Sequence, residues 1–83
     1  MKIYDYNGKK NTSGERIQAA RRKMKLTQGE LAARLQVEGI NIERDSISRI
    51  EIGTRFVADY ELLVISKILG VSLAYLLGDD SAL

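Results

Sequence analysis

Between Leu26 and Gly53 the chain reads LTQGELAARL, then a glycine-containing break at VEGINIER, then DSISRIEIG. Thr27 stands directly before the apolar-periodic residues with Glu30 three positions on, the pattern of a capping box, so a helix starts here. Leu31 and Leu35 share one face with Ala32 beside them, and Ala32 is small enough to admit another helix closely. This helix is predicted to run to about Glu38, where Gly39 ends it, with Ile40 and Ile42 tucking the connection against the core. A second short helix follows over about 44 to 52. Its Ile47 and Ile50 are three apart and face inward, which leaves Arg44, Asp45, Ser46, Ser48 and Arg49 on the outer and flanking faces. A helix meant for the core would not carry that set. Gly53 after Ile52 supplies the stop, since glycine tolerates the left-handed conformation that closes helices.

A short helix that turns small polar and basic side chains outward is the form that lies in the major groove of DNA. The stretch resembles the phage repressor and Cro type of helix-turn-helix, the Xre family. Its pattern is matched by Leu26-Thr27-Gln28, Leu31-Ala32, Leu35, Ile47-Ser48, Ile50-Glu51 and Gly53, and downstream by Leu62, Ile65, Leu69-Gly70-Val71-Ser72 and Leu76-Leu77. The resemblance covers about residues 12 to 78 and implies an all-α fold, a compact five-helix lambda-repressor-like bundle. One departure stands out. Ala32 and Ile47 are fifteen positions apart, about five more than the family pattern, so the turn between helices 2 and 3 is lengthened.

The resemblance also implies roles. Arg44, Asp45, Ser46, Ser48 and Arg49 would reach base edges or adjacent phosphates. Arginine pairs bidentately with guanine, serines give short adaptable contacts, and Asp45 either reads a cytosine amino group or sits where a first-turn negative charge is favoured. Thr27 and Gln28, at the start of helix 2, would meet backbone phosphate, with Gln28 also bracing helix 3. Arg55 stands where the family carries a phosphate-contacting basic residue. Arg21 sits among apolar positions and needs a carboxylate partner. The resemblance implies that this is Glu51, in an ion pair that fixes helix 3 and lets Arg21 approach a phosphate.

Eighty-three residues suit one domain that buries only about 60% of its unfolded surface. With no cysteine and no histidine, disulfides, the usual zinc ligand sets and histidine-based triads are excluded. No paired carboxylates in a cleft, nucleophile-base pair or phosphate loop can be assembled, so no enzyme and no cofactor is expected. No apolar run approaches a membrane span, and MKIYDYNGKK lacks the apolar centre of a signal peptide, so a soluble, cytoplasmic protein is expected. Charge is divided unevenly. Residues 1 to 55 hold twelve Lys/Arg against seven Asp/Glu, a balance of +5, whereas residues 56 to 83 hold one against four, a balance of −3. The basic portion contains the helix-turn-helix, as a surface facing phosphates requires.

Residues 1 to 11 show no helical period and read as a flexible arm, with reach to DNA or an extended segment through Tyr4 and Tyr6 as other uses. Helix 1 is predicted from Thr12 as N-cap with Glu15 in the reciprocal position, and carries Ile17, Ala20, Arg21 and Met24 on one side. Arg22, Lys23 and Lys25 at its end suit the helix dipole and also add to a positive field. Helix 4 is predicted over about 59 to 69, burying Leu62, Ile65, Ser66 and Leu69. Ser72 caps helix 5, whose Leu73, Leu76 and Leu77 close the core, and 79 to 83 form a tail. Tyr60, Leu63, Val64, Ile68 and Tyr75 are more apolar groups than one small bundle face needs, which points to a dimer interface or to use by a thin core.

Two functions follow. The first is a sequence-specific transcriptional regulator of double-stranded DNA, a repressor acting as a homodimer on two half-sites about one helical turn apart. The second is a protein-partner-binding module, an antitoxin or adaptor of the same fold.

Overall fold

The computed structural model describes residues 5–79. Its apolar periodicities converge on one interior. Ile17, Leu31, Leu35, Ile42, Ile47, Ile50, Ile65 and Leu76 are fully buried and belong to a single cluster. Each such aliphatic side chain contributes about 1.5–3 kcal/mol by leaving water. In a core this small, every one of them matters to whether the chain folds.

Five α-helices enclose that cluster: α1 (Gly14–Lys23), α2 (Gln28–Val37), α3 (Arg44–Ile52), α4 (Asp59–Leu69) and α5 (Leu73–Leu77). The start of α2 is fixed as its sequence requires. The Thr27 hydroxyl oxygen accepts from the Glu30 amide at 3.0 Å, and the Thr27 amide donates to Glu30 Oε1 at 2.8 Å. At the other end of the motif Gly53 adopts φ +87°, the left-handed backbone that closes a helix and that side-chain-bearing residues avoid. Gly70 follows α4, and the Ser72 hydroxyl oxygen accepts from the Tyr75 amide at 3.0 Å to begin α5.

The lengthened connection between α2 and α3 is built as a packed loop. Ile40 donates its amide to the Leu35 carbonyl at 2.9 Å, and the Gln36 side chain donates to the Ile42 carbonyl at 2.8 Å. Ile42 is buried and Ile40 half-buried. The insertion therefore adds an apolar anchor directly before the second helix of the motif.

Three local expectations are corrected. Helix 1 begins at Gly14, and Thr12 is an exposed bystander. The Gly14 amide is capped instead by Asn11 Oδ1 at 2.8 Å, while Glu15 pairs outward with Lys9 at 2.8 Å. Met24 falls at the C-cap and stands 40% exposed rather than in the core. Of the three leucines of α5, only Leu76 is buried, because a five-residue helix can turn just one of them fully inward.

The arm expected over 1–11 is also different where it is described; residues 1–4, and with them Tyr4, lie outside the described residues, as do 80–83 of the tail. Asn7 and Gly8 both take positive φ and form a tight turn in which Tyr6 and Lys9 exchange backbone hydrogen bonds at 2.7 and 3.0 Å. Lys10 then donates its amide to the Gly53 carbonyl at 2.8 Å. The segment is docked on the end of α3 because its backbone groups find partners there.

At Gly14, α1 comes close against the end of α3. A methyl group built on it would collide with the carbonyl oxygen of Ile50 and come within 3.0 Å of that of Glu51. Gly14→Ala gains helix propensity, worth about 0.5–1 kcal/mol, but forces α1 away from α3. The collision prevails, and denaturant unfolding will show a net loss of about 1–3 kcal/mol, against a change within about 0.5 kcal/mol for the exposed Thr12→Ala.

Candidate nucleic-acid interface

The inner side of α3 is made by Ile47, Ile50 and Glu51, all buried. Helical geometry then turns Arg44, Asp45 and Arg49 outward, where they are exposed, with Ser46 and Ser48 partly so on the flanks. Arg44 Nη2 and Asp45 Oδ1 lie 3.7 Å apart and both side chains are largely in solvent. A contact that loose and wet contributes at most about 1 kcal/mol, so both groups stay available to a ligand. Asp45 also occupies the first turn, where a negative charge complements the helix dipole.

Below that face lies the network that holds it. Arg21 Nε donates to Glu51 Oε2 at 2.6 Å and Arg21 Nη2 to Glu51 Oε1 at 3.0 Å, while Nη1 donates to the Leu26 carbonyl at 2.8 Å. Gln28 Nε2 donates to the same Glu51 Oε1 at 3.0 Å. One carboxylate thus ties α1, α2 and α3 together. Its hydrogen bonds hold the Arg21 guanidinium above its ordinary pKa despite burial, which acts in the opposite direction. The Arg21 side chain is only 8% exposed and its donors point inward. Arg21 thus ties α1 to α3.

Gln28 remains at the surface edge, partly exposed, and keeps a second amide hydrogen for a further acceptor. Thr27 is exposed at the N-terminus of α2, its hydroxyl oxygen engaged by Glu30. A methyl group on Gly29 would sit 3.8 Å from Arg44 Cδ. The start of α2 and the outer face of α3 therefore form one continuous surface. Arg22, Lys23 and Lys25, exposed at the end of α1, lie in the segment that leads into this helix start and add positive potential.

Arg55 is paired within the fold. Its guanidinium grips Glu61 with two parallel bonds, Nη1 to Oε1 at 3.0 Å and Nη2 to Oε2 at 3.1 Å, and also donates to the Phe56 carbonyl at 2.9 Å. Glu61 Oε1 in turn accepts from the Ala58 amide at 2.9 Å, capping α4. Burial pushes the Glu61 carboxyl up, but Arg55 and the Ala58 amide outweigh it and hold the group below its ordinary value. Arg55 is thus a brace between the loop after α3 and α4, with its side chain still partly exposed. The clue was available: Glu61 occupies the third position of α4, where a carboxylate reaches back to a free amide.

The proposed interface residues of the C-terminal half divide. Tyr60 and Leu63 are exposed on α4, at 61% and 41%. Val64 and Ile68 are partly buried against the core. The Tyr75 ring is covered on one face by the Arg16 guanidinium, 5.1 Å from the ring centre.

A family model described as helix-turn-helix matches residues 17–76. Among solved structures, the P22 c2 repressor protein, in complex with synthetic operator 9T in the presence of Tl+, is similar at TM-score 0.70 and 34% identity, over 84% of this chain and 98% of that one. No curated protein sequence matches.

Two outcomes follow from the ion pairs. Arg21→Ala leaves the Glu51 carboxylate buried without its charge partner, and equilibrium unfolding will show a loss of about 3–5 kcal/mol. Glu61 titrates at a lower pH folded than unfolded. Its contribution is therefore complete above the ordinary carboxylate value of about 4.3 and disappears as pH falls through the lower folded value. Urea midpoints measured from about pH 5 downward will fall less steeply for Glu61→Gln than for the native chain.

Proposed function

The chain belongs to the Xre-like helix-turn-helix family, and on that footing we propose that it is a sequence-specific DNA-binding transcriptional regulator that sets α3 in the major groove. The observation that carries this reading is the two-sidedness of α3, which is locked to two other helices through Glu51 while Arg44, Asp45, Ser46, Ser48 and Arg49 face outward. Arg44 and Arg49 each suit a guanine edge, and Ser46 and Ser48 suit bases or phosphates nearer the helix wall. Asp45 either accepts from a cytosine amino group or serves the dipole of its own helix.

Phosphate binding falls to Thr27 and Gln28. Their helix start offers first-turn amides that the ladder of α2 does not use, together with the positive end of its dipole. Arg22, Lys23 and Lys25 strengthen the field that attracts the backbone. Arg21 and Arg55 contribute by holding the surface in shape.

The finer reading is a repressor that occludes a promoter as a homodimer on two half-sites about one helical turn, roughly 34–36 Å, apart. The exposed Tyr60 and Leu63 of α4 support a self-association face. The similarity to a repressor in complex with its operator supports the DNA target.

Selection from random duplexes tests the reading. The native chain will recover a motif with two-fold symmetry, and Arg49→Ala will lose about 1–3 kcal/mol of discrimination at one base pair per half-site. Gln28→Ala will weaken all duplexes more evenly. Arg55→Ala will lower the melting temperature while leaving the salt dependence close to that of the native chain. Failure to recover a motif, with uniform binding at about 10⁻⁴ to 10⁻⁶ M, or stoichiometric capture of a protein on the α4 face without DNA preference, would overturn it.

A further inference from the structure

The C-terminal end of α3 is held by a side chain that lies outside the helix-turn-helix. Asn11 Nδ2 donates to the Ile50 carbonyl at 3.0 Å and to the Arg55 carbonyl at 2.7 Å, while its Oδ1 accepts from the Gly14 amide at 2.8 Å. Both amide hydrogens and one oxygen lone pair are therefore used, three bonds of the four that an asparagine side chain can make. The neighbouring Lys10 amide donates to the Gly53 carbonyl at 2.8 Å. Residues 10 and 11 thus occupy carbonyls at the end of α3 and in the loop beyond it. The Gly14 approach completes the joint by bringing the amino end of α1 against the carbonyl end of α3, an arrangement that the two helix dipoles favour.

The other end of α3 is anchored by the buried Ile42 and Ile47 rather than by a side-chain cap. Glu43, its N-cap, makes no side-chain capping bond, and Arg44 and Asp45 are exposed. Asn11 acts on the C-terminal half of α3, and the reading groups run from Arg49, beside the clamped Ile50 carbonyl, back to Arg44 in the first turn. From Ile50 to Arg44 the backbone rises about 9 Å, so a tilt of roughly 10° about Ile50 displaces Arg44 by about 1.5 Å. Displacements of that size are enough to spoil bidentate contacts.

We propose that Asn11 is a positioning residue for base recognition, setting the tilt at which α3 is presented to the groove. This rests on the DNA-binding reading above. It separates two properties of Asn11, the capping of α1 and the clamping of α3. Asn11→Asp retains the oxygen that accepts from Gly14, and a negative charge there suits the start of α1. It replaces the Nδ2 that donates to both Ile50 and Arg55 with one acceptor oxygen that repels those carbonyls.

The test is the ratio of affinities for the selected duplex and a scrambled one, measured for native chain and variant at a temperature where circular dichroism shows both folded. In Asn11→Asp the selected duplex will lose about tenfold or more in affinity. The scrambled duplex, bound through phosphates, will change by less than about twofold. Should Asn11→Asp not stay folded, Asn11→Ala, which removes the clamp without the repulsion, is read in the same way. A ratio within about twofold of native in a folded variant whose melting temperature has dropped would make Asn11 a stabilising residue only, and would overturn the proposal. A native chain with no preference between the duplexes would instead overturn the DNA-binding reading itself, and this one with it.

Discussion

The Glu51 carboxylate, buried between Arg21 and Gln28, is the constraint on which the rest depends. Replacing such a pair with well-packed apolar groups often costs nothing, whereas removing one partner is expensive. Its use here is registry. Three helices converge on two oxygen atoms, and bonds from Arg21 and Gln28 to a single carboxylate admit few relative rotations of α1, α2 and α3. Hydrophobic packing alone would define α3 poorly, since Ile47 and Ile50 are its only buried aliphatic residues. The hydrophilic outer face can exist because the inner face is so closely determined.

Around that centre the remaining polar contacts extend the same rigidity. Arg55 and Glu61 bind the loop after α3 to the start of α4. On the entry side, the lengthened connection ends with the buried Ile42, two residues before α3 begins. An insertion in the turn of a helix-turn-helix would be expected to blur the placement of the second helix. Here the added residues bring an apolar anchor and a Gln36 side-chain bond to the Ile42 carbonyl, so the longer path is fixed at both ends.

The sequence could be read well wherever structure is decided within one helix or turn. Thr27 with Glu30, Gly53 and Gly70 mark boundaries through chemistry that acts within a few residues, and the structure places α2, α3 and α4 accordingly. The Arg21 and Glu51 pairing came from the family resemblance, not from periodicity. Contacts between distant segments were harder. Local pattern points to Thr12 as the cap for α1, whereas Asn11 is the residue whose side-chain amide meets the carbonyl of Ile50, 39 positions away. The family position of Arg55 suggests a phosphate contact and gives no sign of Glu61, which reaches it only once the intervening loop has folded back. Spacing points Met24, Leu73 and Leu77 inward, but they fall at a helix end or on a helix too short to bury them. Periodicity says which residues share a face and not whether a neighbour arrives to cover it.

On the proposed reading, the outward side of α3 and the start of α2 form the DNA-binding face. Amide chemical-shift changes in isotope-labelled protein titrated with its selected duplex address this residue by residue. The largest changes will fall on residues 27–29 and 44–49, with small ones on the far side of α4. Changes concentrated on α4 and α5, with α3 unperturbed, would contradict that reading.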